Sequence, residues 1–162
     1  MDVVVRLART ADAEVIAQLM LQLGYEISAA DAAARLSRIL PKREHQFLIA
    51  DADGVSVGWL HASLSEHVDA ETCVLIEGLV VDRACRGHGI GKMLLARAEE
   101  WAKANGCSLV RLRSTAARTD AHRFYEHLGY TKVKTQFSFA KAVDAAGEHL
   151  IHKLVPKVEN QG

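Results

Sequence analysis

The chain has 162 residues, 49% of them apolar and 25% charged, the balance of one globular domain long enough to bury a core. Lys plus Arg and Asp plus Glu number 20 each, so no global field draws the protein to nucleic acid or an anionic membrane, and whatever it binds it binds locally. No apolar run approaches a membrane span, MDVVVRLART is too short a run for a signal peptide, and Cys73, Cys85 and Cys107 show no CxxC pairing; a cytoplasmic protein without metal or disulfide is expected.

VVVRLAR (3–9) has strand composition. Thr10 is placed to cap a helix in which Ile16, Leu19, Met20 and Leu23 recur at helical spacing, with Gly24 as its stop. A second helix, SAADAAARLSRIL, starts from Ser28 and ends before Pro41. HQFLIA, the DADG turn at 51–54 and VSVGWLHASL read as a hairpin. TCVLIEGLVV (72–81) is a long apolar strand with one acid, Glu77. GKMLLARAEEWAKANG carries a helical stripe of Met93, Leu94, Leu95, Ala98, Trp101 and Ala102, closed at Asn105-Gly106. CSLVRLRST (107–115) reads as a strand, TDAHRFYEHLG (119–129) as a short helix capped by Thr119 or Asp120, and TKVKTQFSFAK and EHLIHKLV as a last pair of strands around a turn near Gly147. The order β α α β β β α β α β β is that of one α+β domain covering 1–162, with a mixed, mostly antiparallel sheet flanked by helices.

The chemistry concentrates in VVDRACRGHGIGKMLL, residues 80–95. The first N–H groups of a helix lack intrahelical partners and carry partial positive charge, so an anion satisfies them if no side chain blocks its approach. Gly87, Gly89 and Gly91 clear that approach, and Arg86 and Lys92 add cations at either end. The chemistry expected of this stretch is a phosphate or pyrophosphate cradle, and three glycines that only make a tight strand-to-helix turn are the alternative. It is not a P-loop, since Gly91-Lys92 is followed by Met93 and no Gly sits five residues before Gly91. Nor is it a dinucleotide fingerprint, since the spacing is GxGxG and the position late in the chain.

Arg86-Gly87-His88-Gly89-Ile90-Gly91 resembles the R/Q-x-x-G-x-G/A signature of the GNAT family of N-acetyltransferases. Ala121-His122-Arg123-Phe124-Tyr125-Glu126-His127-Leu128-Gly129-Tyr130 is similar to that family's A-x-x-F/L-Y-x-x-x-G-F/Y segment, and the likeness runs from about residue 3 to 155. Two positions depart from it. Arg83 stands where many relatives have Pro, and Arg118, Thr119 and Asp120 stand where relatives often carry an Asn that contacts the pantetheine arm.

The resemblance implies acetyl-CoA as cosubstrate, held by Arg86, Gly87, His88, Gly89, Ile90, Gly91 and Lys92 and by backbone groups of Leu79, Val80 and Val81. It implies transfer of the acetyl group to a primary amine. That reaction needs a base to deprotonate the ammonium and an acid for the leaving thiolate. Glu77 is the candidate base, its carboxylate expected to be buried in the apolar strand and so poised to take a proton. Glu77 read as a plain ion pair or edge residue is the alternative. Tyr125 corresponds to the family's tyrosine near the CoA sulfur and is the candidate acid; its alternative is a core aromatic. No covalent nucleophile is evident, because Cys85 lacks a paired base.

His61 is placed to touch the acceptor or to be structural, and Arg111, Arg113 and Arg118 to meet the nucleotide or solvent. Acids in the first two helices and in HVDAE (67–71) suit a cationic acceptor, a small molecule or a peptide amine, or simply a solvated surface. The resemblance also implies a possible homodimer through C-terminal edge strands. A different acyl group or acceptor, or a CoA-sensing regulatory domain without turnover, stays open as the alternative function.

Overall fold

A computed structural model describes residues 1–154, which divide into two compact units, Met1–Thr115 and the residues from Ala116 onward. In the first unit five strands form one sheet in the order β1-β2-β3-β4-β5. These are β1 (Val3–Leu7), β2 (His45–Ala52), β3 (Val55–Ser65), β4 (Cys73–Val81) and β5 (Val110–Leu112). The first four pair antiparallel and β5 runs parallel to β4. The sheet is therefore mixed and mostly antiparallel, as the sequence pattern implies.

The Asp53-Gly54 turn takes positive φ at both residues, 49° and 82°. Those angles match the twist of a two-residue hairpin, and they join β2 to β3 as the DADG signal predicts.

Helices α1 (Ala13–Leu21) and α2 (Ala29–Ile39) cover one sheet face. Their Ile16, Leu19, Ala32 and Leu36 share a core with Phe47, Ile49, Trp59 and Val80. Helix α3 (Ile90–Ala104) packs Leu94, Leu95 and Ala98 against β2–β4, and its Leu94 lies 3.5 Å from where a Cβ on Gly58 would stand. Ser28 caps α2 as expected, its Oγ accepting from Asp31 N–H at 3.0 Å.

The start of α1 differs from the sequence reading. Thr10 opens a 3-10 turn, and Asp12 takes the N-cap position of α1 without a side-chain bond to it, its carboxylate accepting instead from Arg9 N–H at 2.7 Å. Asp12 is held in place by Arg6, whose Nη1 and Nη2 donate to its two oxygens at 2.9 and 2.8 Å. Arg6 Nε also donates to Asp51 at 2.7 Å. The bidentate guanidinium fixes the turn that leads into α1.

The second unit contains α4 (Thr119–His127) and α5 (Ala145–Leu154). Gly129 ends α4 as expected, with φ 91° and Tyr130 N–H donating to Tyr125 C=O at 3.0 Å. Neither Thr119 nor Asp120 caps α4, since Thr119 is already its first helical residue.

The last two expected strands are corrected. TKVKTQFSFAK carries no strand pairing among the described residues, and its Phe137 and Phe139 are about nine-tenths exposed. A period-2 pattern becomes a strand only against a neighbour. EHLIHKLV lies in α5 up to Leu154, because Asp144 initiates a helix there, accepting from Gly147 N–H at 2.8 Å through Oδ1. Val155 lies outside the described residues.

Candidate active site

The glycine turn connects β4 to α3. Asp82 Oδ1 accepts from Ala84 N–H at 2.9 Å and sets a 3-10 turn at Arg83–Cys85; Gly87 and Gly89 then take φ of 80° and 77°. Both angles lie in the left-handed region, which costs other residues energy. A Cβ at either position would meet nothing within 4 Å, so the turn opens onto free space. Gly89 is the N-cap of α3, and the first intrahelical bond runs from Met93 N–H to Gly89 C=O at 3.0 Å. The helix offers no carbonyl to the amides of Ile90, Gly91 and Lys92 ahead of it. Ile90 is buried and anchors the turn from below, while Arg86, Gly87, His88, Gly89 and Lys92 are exposed.

Two side chains stabilise the turn rather than project from it. Arg86 Nε donates to Val81 C=O at 3.0 Å, tying the turn to the end of β4. His88 Nδ1 lies 3.0 Å from Arg86 C=O and 3.2 Å from Cys85 C=O, so its proton sits on that nitrogen and staples the loop. Arg83, the departure from the family's Pro, donates through its N–H and Nη2 to Gln22 at 2.9 and 2.8 Å. The loop is thereby fixed to the end of α1.

Beside the turn, β4 outruns its parallel neighbour. Strand β5 pairs only with Val74, Leu75 and Ile76, leaving Glu77–Val81 with an edge that β5 does not cover. Asp82 N–H donates to Val57 C=O at 2.8 Å, and the carbonyl of Val80 lies 2.9 Å from where a Cβ on Gly58 would stand. These two observations fix the phase. Val80 turns its peptide groups toward β3, and Leu79 and Val81 turn theirs to the uncovered edge.

Glu77 occupies a β-bulge. His61 pairs with Gly78 and Ala62 with Ile76, so Glu77 has no opposite residue on β3. A bulge re-aims the side chain it carries. The expectation that Glu77 is buried is corrected: the residue is exposed, and its Oε1 accepts from Ser63 Oγ at 2.7 Å. It lines a recess of about 180 Å³ between the sheet and the α1–α2 pair.

The floor of the recess is Phe47, Trp59, His61, Glu77 and Gly78; Ile16, Met20, Ala32, Leu36 and Ile39 form the roof, and Arg35 stands exposed beside it. His61 stacks on Phe47 at 5.1 Å between ring centroids, and its Nε2 lies 2.9 Å from Nδ1 of His45. Burial, then the neighbouring His45, pushes its pKa down to about 4, while Glu77 pulls the other way. It is a neutral imidazole at neutral pH. Trp59 packs so closely on Gly78 that a Cβ there would stand 2.7 Å from the indole ring.

Tyr125 belongs to the second unit, on α4. Its ring meets Phe124 and Tyr130 edge-on at 5.2 and 5.9 Å. Burial raises its phenol pKa, and Arg118 opposes the rise, so the hydroxyl holds its proton at neutral pH.

Sequence reasoning missed the bulge, the roofed recess and the His45–His61 contact. An acid followed by glycine inside a strand was the signal for the bulge. Nothing local announced the other two. Among the described residues, no group of three or more His, Cys, Asp or Glu could hold a metal, and no helix is long and apolar enough to cross a membrane.

Sheet order and the strand–glycine turn–helix unit define the class, a mixed-sheet α+β domain with an anion-receptive turn. Residues 13–130 match the family model described as "Acetyltransferase (GNAT) family", and the chain belongs to that family. It is 47% identical over 57 residues to an uncharacterized N-acetyltransferase, YhdJ, of Bacillus subtilis, a match covering 35% of this chain and 40% of that protein. It is 37% identical over 98 residues to an aminoalkylphosphonate N-acetyltransferase of Salmonella typhimurium, covering 60% of this chain and 62% of the relative. Both matches thus span less than two thirds of those relatives' length. In fold it is similar to AAC(6')-Iy solved with a CoA-S-monomethyl-acetylneamine bisubstrate analogue, with TM-score 0.78, 24% identity and coverage of 88% of this chain and 99% of that one.

Proposed function

We propose that this chain is an acetyl-CoA-dependent N-acetyltransferase that moves the acetyl group directly to a primary amine. The observation that carries the reading is the order of features along one strand. Glu77 stands at the bulge, the open amides of Leu79 and Val81 follow, and the glycine turn comes next. From Glu77 to Val81 is about 13 Å of strand, a length that one extended ligand can follow toward the glycine turn. The residues fit CoA: Gly87 and Gly89 face open space at a helix N-terminus, where a phosphate is favoured.

Bound acetyl-CoA supplies the activated acetyl carbon and a thiolate leaving group. In this reading the amides of Ile90, Gly91 and Lys92 hold the pyrophosphate, with Arg86 and His88 keeping Gly87 and Gly89 in place. Leu79 and Val81, spaced by Val80, hydrogen-bond the pantetheine arm and polarise the acetyl carbonyl. Glu77 takes a proton from the ammonium, and Tyr125 gives one to the departing sulfur. The C–N bond forms as the C–S bond breaks. Of the two protons the ammonium loses, one is balanced by the thiol and one leaves to solvent.

The three cysteines are free, two of them buried, which suits the proposed cytoplasmic setting. A second copy of the chain is the proposed partner for the strand-patterned 131–141 segment, and light scattering would test it by mass. The activity is tested by thiol release from acetyl-CoA with and without a primary amine. Amine-dependent release, with the acetylated amine found by mass spectrometry, is the expected result; release indifferent to amine would contradict transfer.

A further inference from the structure

Resting on that reading, we propose that the acceptor is a monoamine carrying one apolar group of about the size of a single aromatic ring, seated in the recess between α1–α2 and the sheet. The recess measures about 180 Å³, and an apolar cavity of about 150 Å³ is enough to hold benzene. Its walls are aliphatic and aromatic: Ile16, Met20, Leu36 and Ile39 above, Phe47 and Trp59 below. A polyhydroxylated acceptor carries more hydroxyls than the few polar groups of the lining (Trp59 Nε1, His61, Glu77 and Arg35) can pair, at the cost of desolvating the rest. An apolar ring would instead gain by leaving water.

Charge narrows the class further. Among the described residues that line the recess Glu77 is the only acid, and its place at the bulge lets it receive one ammonium at the end nearest the open amides of β4. Ser63 holds that carboxylate in position at 2.7 Å. Of the other two titratable side chains in the lining, His61 is neutral and Arg35 is a cation. Among the described lining residues a second ammonium on the acceptor would find Arg35 and no second carboxylate. A polyamine or an amino sugar is therefore disfavoured by repulsion as well as by the walls. Trp59 leaning on Gly78 also sets the floor height, since any side chain at 78 would displace the indole.

The test uses the full chain with acetyl-CoA and three probes: 2-phenylethylamine, spermidine and an aminoglycoside. The expected kcat/KM for 2-phenylethylamine exceeds that for spermidine at least tenfold. Arg35→Glu, at an exposed position, should shrink that ratio several-fold by admitting the second cation, while Ala32→Leu should raise the KM for 2-phenylethylamine by filling the roof. Preference of the wild type for spermidine or the aminoglycoside, or a ratio unmoved by Arg35→Glu, would overturn the proposal and leave the transferase reading intact. Binding is read separately by Trp59 fluorescence in a Trp101→Phe background with CoA present. Saturable quenching by 2-phenylethylamine without turnover would support the recess as its site while sinking the transferase reading. The absence of both quenching and turnover would overturn the acceptor proposal.

Discussion

Ser63 on β3 donates to the carboxylate of Glu77 on β4 at 2.7 Å, across the one place where the two strands lose register. The bulge turns an acid out of an apolar strand, and the hydroxyl fixes where it points. Glu77→Gln keeps the size and the contact with Ser63 but cannot take a proton. Its kcat should fall by about a hundredfold or more with acetyl-CoA affinity unchanged. Ser63→Ala should cost less, roughly tenfold, because the base remains and only its orientation loosens. Equal kcat in Glu77→Gln and the wild type would remove Glu77 from the chemistry.

Gly78→Ala tests the floor. The added Cβ would sit 2.7 Å from the Trp59 ring, and Trp59 is wedged beside Phe47 at 5.4 Å. Overpacking of this kind costs about 1–3 kcal/mol, to be read from urea unfolding. An unchanged midpoint would mean that the indole moves aside freely.

His61 links stability to pH. Its folded pKa, about 4, lies below the ordinary histidine value, so the unfolded chain takes up a proton that the folded chain refuses. This contribution is constant above about pH 6.5 and destabilises the fold as pH falls from there toward 4. His61→Gln should flatten that slope in denaturant unfolding at a series of pH values. An identical slope in the variant would assign it to other groups.

Tyr125 keeps its proton because burial raises its pKa. In the proposed role it must give that proton up, so Tyr125→Phe should lower kcat tenfold or more and leave the acetyl-CoA dissociation constant near wild type. A wild-type rate in the variant would return Tyr125 to packing against Phe124 and Tyr130.

Local signals account for most of what the sequence disclosed. Ser28, the Asp53-Gly54 turn, Gly89 before α3 and Gly129 after α4 each act through their own backbone angles or hydrogen bonds, so they are readable one residue at a time. The start of α1 is displaced because the turn before it is fixed by Asp12, which Arg6 holds from β1. The C-terminal strands were misread because alternation in 131–141 says which face is apolar, and only a neighbour makes it a strand. The recess was invisible for a related reason. Met20, Leu36, Phe47 and Trp59 look like ordinary core until the pairing of α1–α2 with β2–β3 leaves space between them.

The central claim is that the glycine turn holds the pyrophosphate of CoA, and thermal unfolding with acetyl-CoA tests it most directly. At a hundredfold excess over the dissociation constant a ligand of the folded state adds about 2.7 kcal/mol of stability. The wild type should show a raised midpoint with acetyl-CoA and none with NAD or ATP. Gly89→Asp, which puts a side chain and a negative charge at a position of φ 77°, should lose the shift. A wild type whose midpoint does not move at saturating acetyl-CoA, or a Gly89→Asp variant that shifts as fully as the wild type, would contradict it.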